Sequence, residues 1–146
     1  MRKIFAVLTI AMMLIGSNVT VADEPSRHAT LYRNPECGCC EAYAEYLRKN
    51  GFSVTVKLTH SLPLIKRQHN VQRELEGCHT TLVGGYVVEG HVPVGTINRL
   101  LSERPAIRGI SLPGMPEGSP GMSGPKREPF TIYEITDGSP RVYAVE

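Results

Sequence analysis

The sequence predicts one small α/β domain, and three observations carry that prediction. Strand-like and helix-like segments alternate along residues 29–76. A Gly-Gly pair at 84–85 joins two short apolar runs in the manner of a hairpin. A segment with Ile97, Leu100 and Leu101 on one face then follows, at the spacing of a helix that covers a sheet.

Taken in order, residues 29–33 alternate as a strand, and Asn34-Pro35-Glu36 forms a turn, because proline fixes φ and drives its predecessor out of the helical region. A helix is predicted over 38–49. Tyr43, Tyr46 and Leu47 share a face, while Glu41 and Glu45 sit in the early turns. Arg48 and Lys49 close it in the sense of the helix dipole, and Asn50-Gly51 stops it. Residues 52–56 read as a second strand. Ser61 is expected to cap a short helical stretch carrying Leu62, Leu64 and Ile65, with Lys66 and Arg67 on its exposed face, and a turn covers 72–76. Residues 80–83 and 86–89 are strands joined by the two glycines, which supply the positive φ of a tight hairpin. Pro93 suits the first turn of a helix ending near Ser102. The resulting order, β-α-β-α-β-β-α, is thioredoxin-like. From Ile110 to Pro129 the chain becomes a Pro/Gly/Met-rich loop, with Pro-Gly-Met at 113–115 and again at 120–122. Residues 130–135 and 141–145 read as a C-terminal β-hairpin around Asp137-Gly138.

The N-terminus has the layout of a secretory signal peptide. Arg2 and Lys3 precede an apolar-to-neutral run of 12 residues from Ile4 to Ile15, and Thr20-Val21-Ala22 offers small residues for cleavage. The run is well short of the roughly 20 residues a spanning helix needs. Residues 1–22 are therefore expected to be removed, leaving 23–146 as a single exported domain without stable membrane insertion. The whole chain has a formal charge of +2; the exported part loses Arg2 and Lys3 and no acidic residue, leaving 14 basic residues against 14 acidic. With no Lys/Arg stripe and few aromatics, nucleic acid is excluded as a partner class.

Four cysteines in an exported chain ordinarily suggest two structural disulfides. The spacing argues otherwise. Cys37, Cys39 and Cys40 crowd one turn, and the remaining sulfur is Cys78; useful staples close long, separate loops. In the predicted fold, Cys37–Cys40 lies between the first strand and first helix, against the loop leading into the third strand. Thioredoxins carry a cis-proline in that second loop, where this chain reads Cys78-His79-Thr80. Cys78 is thus expected to meet the other three in space.

Two chemistries use such a cluster. Cys37-x-x-Cys40 has the spacing of a dithiol oxidoreductase, and the helix N-terminus stabilises a thiolate. An extra thiol inside the motif and a fourth beside it would divert mixed disulfides. Soft metals explain all four sulfurs: thiolates select Cu(I), zinc or iron–sulfur clusters. Structural zinc sites use separated cysteine pairs, whereas Met115 and Met122 of the Pro-Gly-Met triplets are good donors for Cu(I), so the expectation is copper, with more than one Cu(I) balanced by four bridging thiolates. The methionines could instead merely pack the loop on the sheet. His79 could ligate or hydrogen-bond at a loop mouth, and His91 is read as a satisfied surface histidine. His28, His60 and His69 are read as solvated, and Glu41 as complementing the helix N-terminus.

Three segments, NPECGCCEAYAEYLRKNGFSV, ELEGCHTTLVGGYVVEGHVP and LPGMPEGSPGM, closely resemble the CopG-type bacterial copper-resistance proteins, thioredoxin-like periplasmic proteins long grouped under a domain of unknown function. The resemblance covers residues 29–145. It implies copper handling in the periplasm, cysteine-bound copper, and interconversion of Cu(I) and Cu(II). It implies Cys37, Cys39, Cys40 and Cys78 as ligands, Met115 and Met122 as candidate neighbours, and other copper-handling or electron-transfer proteins as partners. The competing expectation is a thiol–disulfide oxidoreductase acting through Cys37 and Cys40.

Overall fold

A computed structural model describes residues 27–146; the expected signal segment, 1–22, lies outside them. Strand β1 (His28–Arg33) is followed by helix α1 (Gly38–Lys49), β2 (Ser53–Leu58), α2 (Leu62–Gln68), a 3-10 turn (Arg73–Leu75), β3 (His79–Val83), β4 (Tyr86–Gly90) and α3 (Val94–Glu103). The expected order of elements is present, and α1 has the predicted bounds. Three strands complete the chain: β5 (Gly109–Leu112), β6 (Thr131–Ile135) and β7 (Val142–Val145). All seven strands form one mixed sheet in the order β2-β1-β3-β4-β5-β6-β7. β1 runs parallel to β2 and antiparallel to β3, and β4 runs parallel to β5.

Strand β5 corrects the reading of 110–129 as loop throughout. Its four residues, Gly-Ile-Ser-Leu, are all buried, and it bridges β4 to the C-terminal hairpin. Pro113-Gly114 directly after it made so short a run look like the start of the loop. The hairpin itself is present, extended by paired backbone bonds between Phe130 and Glu146.

Period-two alternation divides the sheet between two cores. Leu31, Val88, Ile110 and Ile132 face Tyr43 and Leu47 of α1 and Ile97 and Leu100 of α3. On the opposite face, Val87 and Ile135 pack with Val71 and Leu75. The two covering helices are tied by Tyr46, whose hydroxyl accepts a hydrogen bond from Val94 N at 2.8 Å, satisfying one of the free donors at the start of α3. Pro93 stands one residue outside α3 as its N-cap.

Lys66 departs from expectation. The sequence pattern predicts an exposed helix face for it, but its side chain is buried and ion-paired with Glu89 of β4, while Arg67 beside it is exposed. The helical pattern places Lys66 against the sheet, and Glu89 makes that burial tolerable. Among the described residues, no helix is long and apolar enough to cross a membrane.

Candidate metal centre

The centre is assembled at the start of α1. Cys37 is the N-cap, with an extended backbone, and Gly38, Cys39 and Cys40 form the first turn. Their backbone N–H groups lack partners within the helix and carry its positive end, an environment that favours sulfur anions. Arg33, at the end of β1, fixes the preceding turn. Its guanidinium donates to the carbonyls of Asn34 at 3.1 Å, Pro35 at 3.0 Å and Cys37 at 3.4 Å, and pairs with Glu41. Glu41 is therefore an ion-pair partner as well as a first-turn carboxylate. Arg33 was not singled out from sequence, because its acceptors are backbone carbonyls that exist only once the turn has formed.

Cys78 comes from the loop between the 3-10 turn and β3. It meets the first three cysteines, as expected, with Sγ 3.6 Å from Cys40 Sγ and 3.9 Å from Cys39 Sγ. Cys37 and Cys39 are 3.5 Å apart. All four sulfurs lie within 4.8 Å of one another. Cys37 and Cys40 are joined by a disulfide, so Cys39 and Cys78 are the free thiols of this form. Burial, with the neighbouring Cys39, pushes the Cys78 thiol up to about 12. It is protonated near neutrality, and a metal binding there must displace that proton.

Close backbone packing permits this approach. A Cβ on Gly77 would come within 2.7 Å of Gly90 Cα, so the Cys78 loop lies directly on the end of β4. That contact also brings Cys78 to His91, whose Nε2 is 3.0 Å from Cys78 Sγ.

His91 corrects the surface reading. It is fully buried, and its Nδ1 lies 2.6 Å from the Pro120 carbonyl. His79 is also fully buried, with Nδ1 3.5 Å from Cys78 Sγ and Nε2 without a hydrogen-bond partner. The rings pack with Tyr43 at centroid distances of 4.6 Å for His79 and 5.3 Å for His91. Burial lowers the pKa of both imidazoles, His79 most, with His91 adding to its shift. His28 and His60 are exposed and His69 half-exposed.

The Pro/Gly/Met-rich loop covers one side of the centre. Gly114 N donates to the Glu76 carbonyl at 3.4 Å, two residues before Cys78. Gly121, with φ +82°, lies so close to α1 that a Cβ would be 2.7 Å from Tyr43 N and 3.0 Å from Cys39 O. The two triplets thus reach the centre's surroundings from two directions. Met115 is exposed and Met122 half-buried. Replacing Gly121 by alanine is expected to lift this loop, costing about 1–3 kcal/mol as overpacking does. Urea unfolding measures the loss, and faster amide exchange at 119–122 would locate it.

These features define a small α/β protein with a buried-to-half-buried cluster of four cysteines and two histidines able to hold a metal ion. A family profile described as a protein of unknown function, DUF411, matches residues 75–122. Two solved structures of a copper resistance protein CopG are similar along most of the chain. Form 1 is 35% identical, with a TM-score of 0.76, covering 84% of this chain and 98% of that one. Form 2 is also 35% identical, with a TM-score of 0.75, covering 82% and 97%. None of the curated proteins matches. The chain belongs to the CopG family of copper resistance proteins.

Proposed function

We propose that this protein is exported to the periplasm and there holds Cu(I) as cargo in copper resistance, through Cys37, Cys39, Cys40 and Cys78. The observation that carries the reading is the convergence of four sulfurs within 4.8 Å from two distant segments. A structural role would need only one such bond, whereas four adjacent thiolates suit a soft monovalent ion and can bridge several. Kinship with copper resistance proteins supports copper over zinc. Met115 and Met122, on the loop bordering the centre, supply thioethers that would complete the coordination or shield it. Export is supported by the basic and apolar N-terminal segment.

The Cys37–Cys40 disulfide favours a second reading, in which the same centre is redox-active. Closing that bond from the dithiol releases two electrons and two protons. Two Cu(II) ions accepting one electron each would leave as Cu(I), and a dithiol or electron-transfer protein would restore the reduced pair. A thiol–disulfide oxidoreductase without metal uses the same two sulfurs with a dithiol substrate.

The deciding experiment isolates the protein anaerobically after growth in copper and counts metal and free thiols. Several coppers per chain, with thiols protected until a Cu(I) chelator is added, is the expected result. Copper-free protein with one dithiol cycling to disulfide would overturn the copper reading in favour of thiol exchange.

A further inference from the structure

The Cys37–Cys40 disulfide removes two thiolates from the centre, yet Cys78 keeps its neighbours. His91 Nε2 at 3.0 Å and His79 Nδ1 at 3.5 Å face its sulfur, and these three side chains offer donor atoms within 4.8 Å of one another. We propose that Cys78, His79 and His91 form a second, nitrogen-containing donor set that takes a divalent first-row metal, Cu(II) above all, and shares Cys78 with the thiolate site. This rests on reading the centre as a copper site and adds a subsite for the other oxidation state.

The geometry has the features of a prepared ligand set. His91 Nδ1–H donates to the Pro120 carbonyl at 2.6 Å, so its lone pair resides on Nε2, the atom facing Cys78. A backbone carbonyl on the far nitrogen is the usual means of orienting a metal-binding imidazole. His79 is fully buried, with Nδ1 facing Cys78 Sγ at 3.5 Å and Nε2 without a hydrogen-bond partner. Tyr43 packs against both rings and hydrogen-bonds the Val92 carbonyl at 2.8 Å, which holds the pair rigid.

Donor chemistry separates the two sets. Four thiolates favour Cu(I), whereas one thiolate with two imidazoles is a borderline set of the kind that accommodates Cu(II). Among divalent first-row ions Cu(II) is also the strongest competitor for such ligands. The nitrogen-containing set needs neither Cys37 nor Cys40. It is complete in the disulfide form, when the four-thiolate set is not.

Co(II) is the first probe, because it does not oxidise thiols. It would be titrated anaerobically into protein with the Cys37–Cys40 bond closed and Cys39→Ser removing the second free thiol. One Co(II) per chain is expected, with sulfur-to-metal charge-transfer absorption. His91→Asn retains an amide donor for Pro120 but removes the nitrogen facing Cys78, and should weaken Co(II) binding at least about tenfold. Cu(II) in the same protein should show nitrogen hyperfine structure in electron paramagnetic resonance that His91→Asn simplifies. His79→Asn is the second variant, used if His91→Asn does not fold. No Co(II) uptake by the disulfide form, or unchanged affinity and spectrum in folded His91→Asn and His79→Asn proteins, overturns the proposal. The thiolate reading fails separately, if reduced wild-type protein takes up no Cu(I). Retention of wild-type Cu(I) stoichiometry by reduced His91→Asn, with weakened Co(II) binding, establishes two distinguishable sets.

Discussion

Serine in place of Cys78 is expected to abolish tight Cu(I) binding as completely as serine in place of Cys37. The two positions are 41 residues apart in number, and only the fold makes them equivalent. Cys78 lies 3.6 Å from Cys40 and 3.9 Å from Cys39, so a cluster built on this centre must use it as a bridge between segments. Serine nearly preserves the volume and can still hydrogen-bond to His91 Nε2, but a hydroxyl is a hard donor that Cu(I) does not select. The loss should exceed the roughly 10–100-fold that removing a hydrogen-bond partner of a metal ligand costs. Anaerobic competition against a Cu(I) chelator measures it, and the metal-free melting temperature should move little. Undiminished copper content in Cys78→Ser would remove this site from consideration as the place where copper is held.

The parts of the molecule that could be read from sequence are those with local causes. Helix α1 announces itself through Tyr43, Leu47 and the Asn50-Gly51 stop, and it lies where expected. The three clustered cysteines are visible by spacing. Cys78 could be placed beside them only through the order of elements, an inference that the sulfur distances match. What escaped was non-local. His91 follows a hairpin in a Gly-His-Val-Pro stretch that looks solvated, and its burial depends on a loop arriving from residue 120. Lys66 looks like one of two neighbouring cations on a helix, and only the position of Glu89 in β4 distinguishes it from Arg67. A signal was available there: a carboxylate inside Tyr-Val-Val-Glu-Gly, a strand buried on both faces, requires a partner. Strand β5 was too short, and too close to Pro113-Gly114, to separate from the loop.

Two of these missed residues explain how the fold holds Cys78 in position. Gly77 precedes it, and both backbone polar groups of Gly77 are taken up by the buried ion pair. Glu89 Oε1 accepts from Gly77 N at 2.7 Å, while Lys66 Nζ donates to the Gly77 carbonyl at 3.1 Å. Thr80, two residues beyond Cys78, donates its hydroxyl to Glu89 Oε2 at 2.7 Å. The cysteine is therefore suspended between two anchored points. Burial raises the Glu89 carboxyl above the usual carboxylate range, and Lys66, Thr80 and the Gly77 N–H offset that rise only in part.

Lys66→Met is accordingly expected to destabilise the metal-free protein by about 3–5 kcal/mol, the cost of leaving one member of a buried pair alone. That is a large part of the roughly 5–15 kcal/mol by which a domain is stable. Glu89→Leu should be comparably severe, since it leaves the Lys66 ammonium, the Gly77 N–H and the Thr80 hydroxyl without their acceptor. The double variant Lys66→Met/Glu89→Leu should lose less than the sum of the two, because neither charge is then stranded. Urea unfolding of the four proteins closes this cycle. Additive losses, or a Lys66→Met loss below about 1 kcal/mol, the scale of an exposed ion pair, would mean that the pair does not anchor the loop. The same variants separate stability from function. If the clamp positions Cys78, the double variant, although folded, should bind Cu(I) more weakly than wild type, since the Gly77 peptide has lost both its partners. If its affinity is unchanged, the cysteine is held by the close contact of Gly77 with Gly90 alone.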